Sequence, residues 1–283
     1  MLTAKKTNME QPSSSFHDER ASGTCVVFFN RGTAGHFNGC RAWFTERNGQ
    51  IARMVGAEML GTFIMIFSVY GVISSTVMTQ GRIGLMEYAA TAGFCVVLLV
   101  FAIGPISGAH VNPSITIGFA ASGQFPWSQV PAYVVAQTGG AILAAYVGQK
   151  VYEIQGEFAV TQPLQGRKAA FWTEFMATFF IMFLASSLST NAHLVGQLSG
   201  VAAGASIALA VMITAPISGG SMNPARSLGP AIISNRYGDI WLYVLAPTIG
   251  AVAGAFTYRL LHLPHPPCPP NEPSRVSSGC GEA

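Results

Sequence analysis

The sequence predicts an all-α membrane protein, a bundle of six transmembrane helices plus two half-helices arranged as an inverted repeat. Three observations predict it. Half of the 283 residues are apolar and only 10% are charged, whereas soluble globular chains carry about a quarter charged residues. So few charges cannot solvate a globule of this size. Six stretches, about 54–76, 87–104, 130–149, 169–190, 197–215 and 240–262, meet or approach the roughly 20 mostly apolar residues a spanning helix needs. Two shorter apolar pieces, 112–122 and 223–234, can each cover only about half a bilayer.

The elements fall in the order span, span, half-span, span, and that order occurs twice. The halves repeat in sequence as well. Ile106-Ser107-Gly108-Ala109-His110-Val111-Asn112-Pro113 matches Ile217-Ser218-Gly219-Gly220-Ser221-Met222-Asn223-Pro224 at an offset of 111. Ala57-Glu58 and Gly61-Thr62-Phe63 echo Thr173-Glu174 and Ala177-Thr178-Phe179 at 116, and Thr138 and Ala141 match Thr248 and Ala251 at 110. Three spans per copy is an odd number, so the second copy enters the membrane from the opposite side and the irregular backbone of both meets at the midplane. The expected organisation is a flexible tail over 1–50, a channel domain over 51–263 (repeats about 53–150 and 168–262) and a flexible tail over 264–283, the tails being rich in Ser, Pro, Asn and charge.

Several classes are excluded or weakened. A net charge of +3 supports neither a nucleic-acid binder nor an acidic tail. Four of the five cysteines (Cys25, Cys40, Cys268, Cys280) lie in the tails and Cys95 lies in a span, so neither a disulfide framework nor a metal spacing is expected. The group His262, His265 and Cys268 is read as loose tail rather than a metal site, and no cofactor is implied. The first span begins near Val55, too deep for a cleaved leader, and Val26–Phe29 is too short to span. Arginines and lysines divide evenly between the two sides (Arg41, Arg47, Arg53, Arg259, Arg275 against Arg82, Lys150, Arg167, Lys168, Arg236), so the positive-inside rule gives no orientation. An even number of spans puts both termini on one side.

Asn followed by Pro just ahead of a short apolar helix has a specific meaning. Asn is a favoured N-cap and Pro suits the first helical position, where its missing N–H would be unpaired anyway. The motifs Asn112-Pro113-Ser114 and Asn223-Pro224-Ala225 therefore start the two half-helices. Their tips meeting would put two amide NH2 groups and two positive dipole ends around one point. Irregular backbone at that depth survives only when buried or lining a water-filled path, so a pore is expected. It should accept neutral solutes at the two amides, and repel cations and protons moving along a water wire. Arg226, three residues after Asn223, is too costly in lipid and belongs on a polar pore wall.

These motifs, their spacing, and Glu58 and Glu174 at equivalent places resemble the aquaporin (major intrinsic protein) family over residues 53–262. The resemblance implies a six-helix, two-half-helix bundle, a homotetramer with one pore per subunit, and cytoplasmic termini in a plasma-membrane channel. Its narrow filter, carried over by distance from the motifs, falls on Ala92, Val211, Gly220 and Arg226. Water channels of the family resemble one another in an aromatic at the first and His at the second position. Small apolar residues here imply a wide, greasy opening with the Gly220 carbonyl accessible. With Ser114 in the first motif, this pattern is similar to plant nodulin-26-like proteins that pass boric acid, with glycerol, urea and water as further solutes and arsenous or silicic acid as alternatives. Ser227 stands where glycerol facilitators have Asp. Pro105 stands where the family commonly has His, which removes an N–H at the cytosolic mouth.

Blander readings apply to other residues. Glu58 and Glu174 could carry protons, but their matched positions suit hydrogen-bond acceptors bracing the half-helices. His110 reads as loop packing. Phe101 is placed either on the pore or in helix packing. Gly139, Gly140, Gly200 and Gly204 permit close helix approach. Ser274, Ser277 and Ser278 beside Arg275 form a weak phosphorylation pattern. A secondary transporter would need midplane acids or a cation site. A serine hydrolase resemblance at Gly204-Ala205-Ser206-Ile207 lacks its second Gly and a partner His, so no enzyme is expected.

Overall fold

The computed structural model describes residues 39–154 and 156–262. The tails 1–38 and 263–283, with Cys25, His265, Cys268, Cys280, Ser274, Ser277 and Ser278, lie outside the described residues. Nine α-helices occur in the described part: α1 Gly39–Met78, α2 Leu85–Ser107, α3 Pro113–Ala121, α4 Val130–Tyr152, α5 Arg167–Thr190, the single turn α6 Ala192–Val195, α7 Ser199–Ser218, α8 Pro224–Ser234 and α9 Ile240–Leu261. Six of these are long and apolar enough to cross a membrane. Helix α1 begins at Gly39, ahead of the expected tail boundary at 50: the short run Ala42-Trp43-Phe44 is cut off from the span by Thr45-Glu46-Arg47-Asn48-Gly49-Gln50.

The two repeats interlock. Within each, the first span packs on the last, α1 on α4 and α5 on α9, while α2 and α7 cross between the repeats. Each half-helix packs on the last span of the other repeat: α3 on α9, α8 on α4. Small residues make these crossings close. A Cβ on Gly93 would stand 2.8 Å from the Gly204 carbonyl, and one on Gly204 2.5 Å from that of Gly93. A Cβ on Gly140 would overlap the Met59 carbonyl, and one on Gly250 that of Phe175. With little hydrophobic drive between helices in lipid, such backbone proximity is what holds a bundle together. Gly139 meets nothing within 4 Å.

Large apolar side chains such as Phe94, Leu98, Trp172 and Leu245 are exposed on the outside, as lipid allows. Pro105 sits in the last turns of α2 and Pro216 in those of α7, and each helix continues past it to a left-handed glycine, Gly108 or Gly219. The residue that departs from the family pattern thus repeats its own counterpart 111 positions on.

Candidate functional site

Local chemistry starts each half-helix. The side-chain oxygen of Asn112 accepts from the Ser114 N–H at 2.9 Å, and that of Asn223 accepts from the Ala225 N–H at 2.9 Å and the Arg226 N–H at 3.4 Å. These are N-cap bonds to donors that have no partner within the helix. The amide nitrogens then cross between the repeats. Asn112 Nδ2 donates to the Met222 carbonyl at 2.8 Å and Asn223 Nδ2 to the Val111 carbonyl at 2.9 Å. Each amide therefore spends one of its two N–H bonds on tying the tips together, and the other has no partner among the described residues. Both asparagines keep slight exposure, 6% and 4%.

The loops ahead of the caps are strained, and a carboxylate braces each. Val111 has φ 43° and Met222 φ 50°, a left-handed conformation costly above all for β-branched Val111. Glu58 accepts from the backbone N–H groups of His110 (3.0 Å) and Val111 (2.7 Å), from Ser107 Oγ (2.7 Å) and from Gln137 Nε2 (2.8 Å). Glu174 accepts from the N–H groups of Ser221 (2.9 Å) and Met222 (2.5 Å) and from Ser218 Oγ (2.5 Å). Both carboxylates are fully buried. Two-oxygen acceptors serving adjacent N–H groups hold those loops in a conformation the chain alone disfavours. His110 lies in the loop, its Nδ1 3.2 Å from Thr116 Oγ1 and its ring between Phe119 and Phe125, both 4.9 Å away between centroids. Ser114 Oγ meets Thr248 Oγ1 of α9 at 3.0 Å.

Arg226 occupies the first turn of α8 and is 5% exposed. Nη1 donates to the Ala159 carbonyl at 2.8 Å, and Nη2 to Tyr88 Oη at 3.1 Å and more weakly to the Gly219 carbonyl at 3.5 Å. Tyr88 in turn points its hydroxyl at the carbonyls of Gly220 (2.9 Å) and Gly219 (3.2 Å). Ala92 and Val211 share one apolar cluster with Met222 and Ala215, and Tyr88 packs against it. Tyr88 and Arg226 both line an open cavity of about 580 Å³, with Leu85, Phe158, Leu164 and Glu157. Ala92 and Val211, 5% and 2% exposed, do not.

Tyr88 adds a group that the filter reading did not include: its hydroxyl donates to the Gly220 carbonyl that was expected to face the path. Tyr88 precedes Ala92 by four residues and so shares its helix face, which was the available signal. Phe101 is 50% exposed; its ring would lie 3.1 Å from a Cβ on Gly200, and helical periodicity puts it on the side of Phe94 and Leu98, away from Ala92. Of the two places expected for it, helix packing is the one these contacts fit.

Comparison with known proteins agrees with this geometry. The family described as Major intrinsic protein matches residues 46–258. The chain is 53% identical over 227 residues to "Probable aquaporin NIP7-1" of Arabidopsis thaliana, covering 80% of this chain and 82% of that one. It is 41% identical over 228 residues to "Aquaporin NIP3-1" of Oryza sativa subsp. japonica, covering 80% and 73%. The X-ray structure of the aquaglyceroporin from Plasmodium falciparum shares the fold, with a TM-score of 0.66 at 22% identity, over 74% of this chain and 95% of that one. By the matched length and these relatives, the chain belongs to the major intrinsic protein family, among its nodulin-26-like aquaporins.

Proposed function

We propose that the chain is a passive channel for small uncharged solutes, boric acid foremost, with glycerol, urea and water as further solutes, and that it excludes ions and protons. The observation that carries this reading is Arg226, a buried fixed cation tied through Tyr88 to the Gly219–Gly220 carbonyls, together with two asparagine amides that each retain a free N–H. Boric acid is neutral near pH 7, and its hydroxyls suit donors on one side and apolar wall on the other. The two half-helix N-termini and Arg226 oppose cations.

Flux depends on Tyr88. While its hydroxyl bridges Arg226 and Gly220, the solute's hydrogen-bonding partners at the filter are taken by the protein itself. Rotation of the phenol about its side-chain bonds would release both. Family membership supports a plasma-membrane homotetramer with cytoplasmic termini. The filter residues favour boric acid over water as the main solute; arsenous and silicic acid share its chemistry.

Stopped-flow swelling of proteoliposomes in boric acid, glycerol, urea and sucrose gradients tests the proposal. Boric acid should cross faster than through protein-free bilayers, without a membrane potential or a pH gradient. Movement of water alone would refute the solute-channel reading, and flux abolished by an uncoupler would favour a transporter.

A further inference from the structure

Arg226 borders a second, smaller cavity besides the one it shares with Tyr88. Its Nε is buried and has no hydrogen-bond partner among the described residues, and the same is true of the Tyr70 hydroxyl. Both residues border one small cavity, which leaves about 10 Å³ for the centre of a water molecule. The rest of its wall is apolar: Ile66, Val69 and Ile73 from α1, Pro230 from α8, and Ala159. Tyr70 is 2% exposed and Arg226 5%. A buried guanidinium N–H and a buried phenol without partners are each costly. Two residues that carry such groups and border a space of one water's size offer what a structural water needs, about 10–15 Å³ and two to four polar partners.

We propose that this cavity is a binding site for one ordered water, and that Tyr70 is thereby a positioning residue for the filter arginine. The water accepts from Arg226 Nε–H and from the Tyr70 O–H. Its own hydrogens face Ala159, whose carbonyl takes Nη1 with one lone pair and has another free. The guanidinium is then held on two sides. Tyr88 and Gly219 hold Nη2 from the filter side, and the water holds Nε from the α1 side. Because Nε is the atom nearest the side-chain stem, fixing it sets the plane of the whole fork, and with it the direction in which Nη2 meets Tyr88. The water site stands on geometry alone, while its effect on flux rests on the proposed channel reading.

The Tyr70→Phe variant removes one hydroxyl and keeps the ring, which packs against α4 where a Cβ on Gly148 would meet it at 2.7 Å. The test pairs a high-resolution structure of the full tetramer with transport. Wild type is expected to show an ordered water within hydrogen-bond distance of Arg226 Nε and Tyr70 Oη, and Tyr70→Phe to lose it. Boric acid flux should change about threefold or more in Tyr70→Phe, through the looser arginine, and should not change when the same substitution is made beside Tyr88→Phe, where the contact it aligns is already gone. No water in wild type overturns the site, whatever the flux. Water that persists unchanged in Tyr70→Phe overturns the part given to Tyr70. Water lost with flux unaltered overturns the positioning role. Absence of boric acid flux in wild type, with the water present, counts against the channel reading and leaves the site standing.

Discussion

Replacing Tyr88 by Phe removes the oxygen that bridges Arg226 and Gly220, and the lost contacts set the size of the effect. That oxygen accepts from Arg226 Nη2 at 3.1 Å and shares its single proton between the carbonyls of Gly220 at 2.9 Å and Gly219 at 3.2 Å. A hydrogen bond involving a charged group contributes roughly 1.5–3 kcal/mol net, and a neutral one roughly 0.5–1.5. The site opens onto a wide vestibule, so the lower ends apply, about 2 kcal/mol in total. That corresponds to about a thirtyfold shift from the bridged to the released arrangement, at 1.4 kcal/mol per factor of ten. Boric acid permeability in proteoliposomes, normalised to the amount of inserted protein, should therefore rise in Tyr88→Phe by up to that factor, saturating once the released form predominates. Tyr88→Ala should raise it at least as much, since it also removes the ring. An unchanged or lower permeability in both variants, with normal insertion and yield of folded protein, would refute the idea that this hydroxyl obstructs the filter.

Further outcomes follow from other contacts. Ala92→Phe crowds the filter where α2 faces Val211 and should cut boric acid flux on the order of tenfold, about 1.4 kcal/mol of barrier, and more than it cuts osmotic water flux; equal loss of both would count against Ala92 as a filter residue. Glu174→Ala leaves the N–H groups of Ser221 and Met222 without acceptors at roughly 1–3 kcal/mol each, so little folded protein should survive by fluorescence-detected size-exclusion chromatography, with Glu174→Gln intermediate. A well-folded Glu174→Ala channel would contradict its bracing role. Gly140→Leu should abolish assembly, since a Cβ there overlaps the Met59 carbonyl, whereas Gly139→Leu should leave the melting temperature nearly unchanged because nothing lies within 4 Å of it. Similar melting behaviour of the two would refute the packing argument.

Features decided by short-range chemistry were legible in the sequence. An Asn that caps and a Pro at the first helical position announce a helix start wherever they occur, and α3 and α8 begin at Pro113 and Pro224. Filter positions read by counting back from the motifs yield one residue per helix. Such counting is blind to the residue one turn away that leans over the chosen one, and Tyr88 escaped it for that reason. Phe101 was left between two places, although nine residues after Ala92 is a half-turn remainder at 3.6 residues per turn, which favours the packing one. The start of α1 was hidden because the polar stretch Thr45–Gln50 breaks the apolar run by which a span is recognised.

The division between what repeats and what does not explains where specificity resides. Residues related by the repeat do matching work. Asn112 and Asn223 bond to each other's loops, Glu58 and Glu174 brace them, and the hydroxyls of Tyr133 and Tyr243 close on the carbonyls of Ser107 at 2.9 Å and Ser218 at 2.8 Å. His110 and Ser221 occupy equivalent positions and contact the equivalent Thr116 and Ser227. These pairs make a symmetric frame that would hold a path open to any small neutral molecule. Arg226 breaks the symmetry, since its counterpart 111 residues earlier is Ile115, a buried member of the apolar cluster. Tyr88 breaks it again, its counterpart being Ser199, too short to bridge the path. Both unmatched residues fall at one mouth and bond to each other. On the proposed reading, selection and obstruction are therefore concentrated at a single contact, where a one-atom change should alter permeation without disturbing the frame that the repeat builds.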